Sequence, residues 1–251
     1  MTENAKEYLN KIQPAGLSAL EATDPEFADR FASFAFDQVV NMPCPDEANP
    51  LDDRTRFLAI LAALLGCQGV DAFRAMLPAA LNAGLTPAEV KETVYQAVAY
   101  LGLGRVLPFF DVVNEELRRR DIALPLPPQP AAAYEDRRAA GNQVQVKAFG
   151  ERIRESWTRG PEERRHISLW LAENCFGDYY TRAGLSLPQR EMITFCFLAA
   201  QGGCEPQLIA HAKGNMHVGN DRFFLIQVVS QCLPYIGYPR TLNALDCIDK
   251  A

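Results

Sequence analysis

The chain has 251 residues, of which 48% are hydrophobic and 22% are charged, and its formal net charge at pH 7 is −6. This composition excludes an intrinsically disordered or collagen-like chain, and the length allows one large domain or two smaller ones. The runs of Lys and Arg are short, and the longest apolar run, 57–65, is too short to span a bilayer, so we expect neither a nucleic-acid nor a membrane partner.

Helical patterns dominate the chain. Residues 54–66 are rich in Ala, Leu and Ile and predict a buried helix. Thr86 and Pro87 predict the start of another, with Thr86 as the N-cap and Pro87 at the first helical position. Because alternating patterns and hairpin turns are scarce, we expect an all-α fold.

The middle of the chain divides it into two halves. Residues 121–143 combine prolines with an Ala- and charge-rich stretch, and we interpret them as a partly extended linker. The first half comprises an N-terminal extension, 1–25, and a first unit, 26–120, whereas the second unit is 144–251.

The two units resemble each other, which indicates a duplicated helical repeat. A shift of 135 residues superposes the segment 82–107 on the segment 217–242. The residues that are identical under this shift include Gly84 and Gly219, Gln96 and Gln231, Tyr100 and Tyr235, Gly102 and Gly237, and Arg105 and Arg240.

The cysteines indicate a reducing compartment. There are seven, at positions 44, 67, 175, 196, 204, 232 and 247, and none forms a Cys-x-x-Cys pair. An odd number without that spacing disfavours a disulfide framework and a structural zinc site. Because the N-terminus also shows no hydrophobic signal segment, we expect a cytoplasmic protein.

The segment 187–211 contains the strongest candidate site. Its pattern predicts a helix over about 189–201, a break at Gly202 and Gly203, and a new helix from about Glu205. Cys204 would then lie at a helix N-terminus, where the helix dipole favours the thiolate. The sequence therefore predicts that Cys204 is the reactive cysteine.

Two further residues could join Cys204. His211 lies two turns along the same helix face, about 10 Å away, with Gln207 between them. Glu191 could approach them if the two helices pack antiparallel; taken alone, it is a solvated first-turn acid. The other histidines, His166 and His217, are expected to be exposed.

These same stretches resemble a known family. Residues 176–193, 203–219 and 234–245 are similar, in that order, to motifs of the carboxymuconolactone decarboxylase domain, and 26–117 resembles this domain more weakly. The chain thus resembles a tandem member of the carboxymuconolactone decarboxylase and alkylhydroperoxidase D-like superfamily. The resemblance implies an all-helical fold, a homo-oligomer with a trimer of tandem chains favoured, and a Glu–Cys–His site that matches Glu191, Cys204 and His211.

The resemblance leaves the first repeat without a complete site. Cys67 is present, but Met76 stands where the histidine would be, and either Thr55 or Arg54 replaces the glutamate. None of these replacements can act as a carboxylate or an imidazole. We expect the first repeat to be a scaffold that also contributes walls to the pocket of the second.

The leading functional hypothesis is a cofactor-free lyase that decarboxylates a small carboxylated lactone or a related acid by proton transfer. Since such a substrate is anionic, cations should line the pocket, and position suggests Lys213 and Arg240. Gln207 and Tyr235 complete the predicted substrate-binding set. The residues include no metal-ligand cluster and no phosphate-binding glycine loop, so no cofactor is expected.

Two alternatives stay open. The first is a thiol-dependent, peroxiredoxin-type peroxidase. The peroxide-reducing branch of the superfamily uses a Cys-x-x-Cys pair, and because Gln207 takes the second position, a resolving thiol would have to come from elsewhere, such as Cys67 or Cys196. The second is a non-catalytic assembly protein that binds small ligands, in which Cys204 would be an ordinary thiol and Glu191 would point away from it.

Overall fold

In the computed structural model, residues 1–13, 17–43 and 50–251 are described, and the side chains of 17–19 are not. The first half of the chain forms helices α1 to α7. Their bounds are α1 Glu3–Ile12, α2 Leu17–Thr23, α3 Pro25–Ser33, α4 Asp53–Gly66, α5 Val70–Asn82, α6 Pro87–Leu101 and α7 Leu103–Arg119, and a π-helical turn, Phe34–Gln38, follows α3.

The second half repeats this helical plan. Its helices are α8 Arg137–Phe149, α9 Arg165–Trp170, α10 Leu187–Gln201, α11 Glu205–His217, α12 Arg222–Ile236 and α13 Tyr238–Asp249. Short 3₁₀ turns precede α9, and a π-helix, Leu171–Tyr180, continues it. The described residues contain no strand, so the all-α prediction is confirmed.

Local capping chemistry explains where the key helices begin. Thr86 caps α6 and forms a reciprocal capping box with Glu89, as the sequence predicts for this helix start. Ser186 and Gln189 form the same device at the start of α10. The predicted helices at 54–66, 189–201 and from Glu205 onwards are therefore present within one or two residues of their expected ends.

The connection between the repeats is shorter than the sequence predicts. Helix α8 already begins at Arg137, inside the predicted linker 121–143. Two glycines let it pack against the π-helix: a Cβ on Gly141 would lie 2.0 Å from the carbonyl oxygen of Ala172, and one on Gly177 would lie 2.4 Å from that of Arg137. The predicted linker residues from Arg137 onwards therefore belong to α8, which packs on the π-helix of the second repeat.

The two repeats interlock around a shared core. Helices α4 and α10 lie together at its centre, where a Cβ on Gly66 would come within 2.6 Å of the Phe197 carbonyl oxygen. Helix α6 of the first repeat packs on α10 as well as on α4, and α12 of the second repeat packs on α4 as well as on α10. One hydrophobic cluster therefore runs through both repeats.

Two buried polar pairs show this exchange of partners. Arg190 of α10 donates to Gln96 Oε1 of α6 at 2.8 Å. In the same way, Arg56 of α4 donates to Gln231 Oε1 of α12 at 3.0 Å. Each pair joins an arginine of one repeat to a glutamine of the other, so the fold of either repeat depends on its neighbour.

None of the helices in the described ranges is both long and apolar enough to cross a membrane.

Candidate active site

The centre of the site is a buried hydrogen-bonded pair of a carboxyl group and an imidazole between α10 and α11. Glu191 Oε2 lies 2.8 Å from His211 Nδ1, the glutamate is fully buried and the histidine is 8% exposed. Asn215 of α11 ties this helix to α10, because its Nδ2 donates to the carbonyl oxygen of Glu191 at 2.9 Å as well as to that of His211 in its own helix at 2.8 Å. The reading of Glu191 as a solvated first-turn acid is therefore wrong.

The turn between the two helices makes this pairing geometrically accessible. Gly202 and Gly203 have φ angles of +69° and +71°, a region that favours glycine. The chain reverses there, and α11 packs back on α10, as the sequence reasoning required for Glu191 to reach the histidine. The remaining histidines, His166 and His217, are exposed as predicted.

Aromatic rings hold the imidazole in place. The edge-to-face contacts of His211 have centroid separations of 5.5 Å with Tyr100 and 5.2 Å with Phe149. With Nδ1 engaged by Glu191, the second ring nitrogen, Nε2, has no hydrogen-bond partner among the described residues. The imidazole lines the adjacent cavity, so Nε2 is the nitrogen available to a bound molecule.

The cavity has a volume of about 570 Å³ and a mainly apolar lining. Both repeats contribute to it, and the lining residues are Ala99, Tyr100, Gln145, Phe149, Ile153, Leu171, Cys175, Phe176, Leu198, Gln201, Gly203, Cys204, Gln207, Ala210 and His211. The expectation that the first repeat forms part of the pocket wall is thus supported by Ala99 and Tyr100. No Lys or Arg belongs to this described lining.

Cys204 lies on the cavity wall, at the helix start that the sequence predicts. It occupies the N-cap position of α11, and its side chain makes no capping hydrogen bond. Its Sγ instead donates to the Leu198 carbonyl oxygen at 3.5 Å and accepts from Gln201 Nε2 at 3.8 Å. Burial raises the pKa of the Cys204 thiol, which opposes the stabilisation of a thiolate that the helix N-terminus would supply.

The predicted substrate-binding residues do not stay together. Gln207 lines the cavity, whereas Lys213 is exposed and outside its lining. Tyr235 lies on the other side of the core, where its hydroxyl donates to Met76 Sδ at 3.5 Å. The Arg240 guanidinium donates to a backbone carbonyl near the end of α10 and does not line the cavity.

The sequence reasoning missed Tyr100 of the first repeat, which lines the cavity where Tyr235 of the second repeat was expected. Tyr100, the equivalent of Tyr235, reaches the cavity because α6 packs on α10. Its hydroxyl lies 2.8 Å from that of Tyr180, which in turn lies 2.7 Å from Thr194 Oγ1. The shift of 135 identifies Tyr100 and Tyr235 as equivalent. Which of the two rings lines the cavity depends on how the helices pack.

The other described cysteines are free thiols in apolar surroundings. Cys175 lines the cavity, and burial raises the pKa of its thiol to about 12. Cys196 lies in the core beside Cys232, while Cys67 is half-buried and donates to the Leu64 carbonyl oxygen at 3.6 Å. Cys44 lies outside the described residues.

The first repeat offers no second site of this kind. Arg56 of α4 and Arg190 of α10 make equivalent bonds to a glutamine of the other repeat, so they align the two helices. This alignment puts Phe57 at the position of Glu191. The assignment of Thr55 or Arg54 to that position is corrected accordingly. Met76 is buried at the equivalent of the site histidine. Apolar side chains thus fill the place of the pair.

Comparisons with known proteins agree with this architecture. The sequence model of the Carboxymuconolactone decarboxylase family matches residues 25–115 and 168–250, one region in each repeat. Among solved structures, the chain is similar to a "putative gamma-carboxymuconolactone decarboxylase subunit" from Burkholderia xenovorans LB400. The two share 21% sequence identity and a TM-score of 0.57 over 96% of this chain and 92% of that one, which shows a common fold. Among curated proteins, none matches the chain.

Proposed function

The chain belongs to the carboxymuconolactone decarboxylase family, and from that premise we propose that its second repeat is a lyase site. It removes CO2 from a small carboxylated lactone or a related unsaturated acid by proton transfer. A cavity of about 570 Å³ is in the usual range for a small-molecule site.

The buried pair of Glu191 and His211 carries this proposal. A carboxylate that accepts from Nδ1–H fixes the imidazole tautomer and orients Nε2 towards the bound molecule, which is the arrangement of a general acid–base group. The carboxylate also stabilises the imidazolium form. His211 can therefore hold a proton at Nε2 and release it to the reacting carbon.

The reaction needs only one proton to balance. The bond between the substrate carbon and its carboxylate breaks, CO2 leaves, and the electron pair of that bond delocalises over the unsaturated ring. A ring carbon then takes the proton from Nε2 of His211, and water restores it. Glu191 keeps its position throughout and compensates the charge on the imidazole.

The apolar walls favour the same step. A carboxylate bound among Phe149, Leu171, Phe176 and Leu198 loses hydration, whereas the neutral CO2 that it becomes does not need it. In the transition state the charge spreads over the ring. An apolar cavity therefore destabilises the ground-state carboxylate more than the delocalised charge.

The thiol chemistry of the alternative peroxidase receives less support. A peroxidatic cysteine reacts as the thiolate, and burial raises the pKa of Cys204. Gln207 occupies the turn where a second thiol would be needed, and Cys196 faces Cys232 in the core. In the proposed mechanism Cys204 is a neutral thiol of the cavity wall.

Turnover of 4-carboxymuconolactone, followed as CO2 release by the purified protein, tests the proposal. We expect release by the wild type, a loss of about 100-fold or more in His211→Ala, and most of the activity in Cys204→Ser. A folded wild type that releases no CO2 would contradict the lyase assignment. Consumption of a hydroperoxide that disappears in Cys204→Ser would favour the peroxidase instead.

A further inference from the structure

An anionic substrate requires a positive charge that the cavity lining itself does not provide. Among the described lining residues there is no Lys or Arg: Lys213 is exposed outside the lining, and the guanidinium of Arg240, near the end of α10, is bound to the Ala200 carbonyl oxygen. The carboxylate of Glu191 lies behind this wall, where it is paired with His211. A carboxylate that enters the cavity must therefore meet a cation at its rim.

Arg105, at the start of α7, is placed to be that cation. Its Nη1 donates to Gln201 Oε1 at 3.1 Å, and Gln201 is a residue of the cavity wall. The amide of the same glutamine reaches Cys204 Sγ at 3.8 Å, so one side chain connects the guanidinium to the thiol in the cavity. Arg105 is exposed and forms no ion pair within the described part of the chain.

The duplication explains why this residue comes from the first repeat. Arg105 and Arg240 are equivalent under the shift of 135, and both guanidinium groups lie near the C-terminal end of α10. They differ in their acceptors: Arg240 is bound to the main chain at Ala200, whereas Arg105 holds a side-chain amide that can move. Because the side chain of Gln201 can move, the guanidinium of Arg105 is the one available to a ligand.

We propose that Arg105 of the first repeat is the anion-binding residue of the cavity in the second repeat. Its guanidinium exchanges the neutral amide of Gln201 for a substrate carboxylate that stays at the rim, not for the one that leaves as CO2 among the apolar walls, since a bidentate, charge-assisted pair is the stronger bond. The identity of this carboxylate as that of a lactone rests on the proposed function. The recognition of a carboxylate at the cavity rim does not, and can be measured separately.

A pair of alkylating agents that differ in charge tests this recognition at Cys204. Iodoacetate is an anion and iodoacetamide is neutral, and with both the thiolate displaces iodide. The ratio of their rates at Cys204, read by mass spectrometry of the peptide that contains it, reports the local field and cancels changes in thiol reactivity. Arg118→Gln is the matched control, because it removes the same charge from the exposed far end of α7.

In Arg105→Gln we expect the ratio of iodoacetate to iodoacetamide rates to fall by about three-fold or more at low ionic strength, the effect of a nearby unit charge in a water-like dielectric. Arg105→Lys should keep much of the ratio, and Arg118→Gln should keep all of it. An unchanged ratio in Arg105→Gln, or an equal fall in Arg118→Gln, would overturn the proposal.

Steady-state kinetics separate this proposal from that of the lyase. If the wild type decarboxylates 4-carboxymuconolactone, Arg105→Gln should raise KM by about ten-fold or more and change kcat less, since it removes binding and not proton transfer. A change in kcat alone would overturn the anion-binding role. If the wild type releases no CO2 but the alkylation ratio still depends on Arg105, the lyase assignment fails and the anion site stands.

Discussion

The substitution Gly214→Ala should separate the pair of Glu191 and His211 without removing either partner. A Cβ at Gly214 would lie 2.7 Å from Glu191 Oε2, the oxygen that pairs with His211, and 2.8 Å from Phe149 Cε1. Both distances are shorter than van der Waals contact, and Glu191 is fully buried. The carboxylate can move away from the new methyl group only by leaving the imidazole.

The size of the effect follows from three opposing contributions. Alanine in place of glycine within a helix favours folding by about 1 kcal/mol. Overpacking costs about 1–3 kcal/mol, and a weakened charge-assisted hydrogen bond costs about 1.5–3 kcal/mol. The free energy of unfolding should therefore fall by about 2–5 kcal/mol, and decarboxylation should slow by about 100-fold or more because His211 loses its partner.

Urea unfolding and CO2 release measure the two effects on the same preparation. Gly104→Ala is the matched control, because Gly104 also lies in a helix and a Cβ there would meet nothing within 4 Å. It should leave the stability equal or slightly raised and the activity unchanged. A Gly214→Ala protein that is as stable and as active as the wild type would refute the role given to the pair.

Three other perturbations test separate parts of the reasoning. His211→Ala should abolish CO2 release while Cys67→Ala should not, and equal losses in turnover would mean that the first repeat is catalytic. Gln96→Ala leaves the fully buried Arg190 without the acceptor at 2.8 Å, so urea unfolding should show a loss of about 2–4 kcal/mol, and no loss would contradict the interlocked repeats. Because the pKa of Cys204 is raised, its thiolate forms only above the ordinary thiol pKa of about 8.5, and the rate of alkylation by iodoacetamide should still be rising at pH 9. A rate that levels off below pH 8 would contradict the burial of the thiol.

Local signals in the sequence were sufficient for much of the fold. Thr86 with Pro87 and the break at Gly202 and Gly203 mark helix ends through capping and backbone conformation, which depend on a few neighbouring residues. The linker was drawn too long because Arg137 and the residues after it form a helix only by packing against the π-helix. Such tertiary contacts leave no short-range signature.

The candidate site was predictable in part. The resemblance to a family indicated Glu191, Cys204 and His211, and the structure pairs the glutamate with the histidine. The burial of Cys204, which raises the pKa of its thiol against the effect of the helix dipole, was not predictable, because burial depends on the whole fold.

The exchange of partners between repeats could not be read from the sequence at all. The shift of 135 shows that Tyr100 corresponds to Tyr235 and Arg105 to Arg240, but it does not show which member of each pair faces the cavity. That choice follows from the packing of α6 on α10, which brings Tyr100 of the first repeat to the cavity wall of the second, and Arg105 within 3.1 Å of Gln201 in that wall. Equivalent residues therefore have different roles.

Chemical rescue of His211→Ala tests the proton-transfer mechanism most directly. Truncation of the imidazole opens a ring-sized space beside Glu191 in the cavity wall, and added imidazole can take up the proton that Nε2 would hold. We predict that imidazole restores CO2 release from 4-carboxymuconolactone in a concentration-dependent manner, while the exposed control His217→Ala needs no rescue. Full activity of His211→Ala without imidazole would contradict the assignment of His211 as the acid–base group.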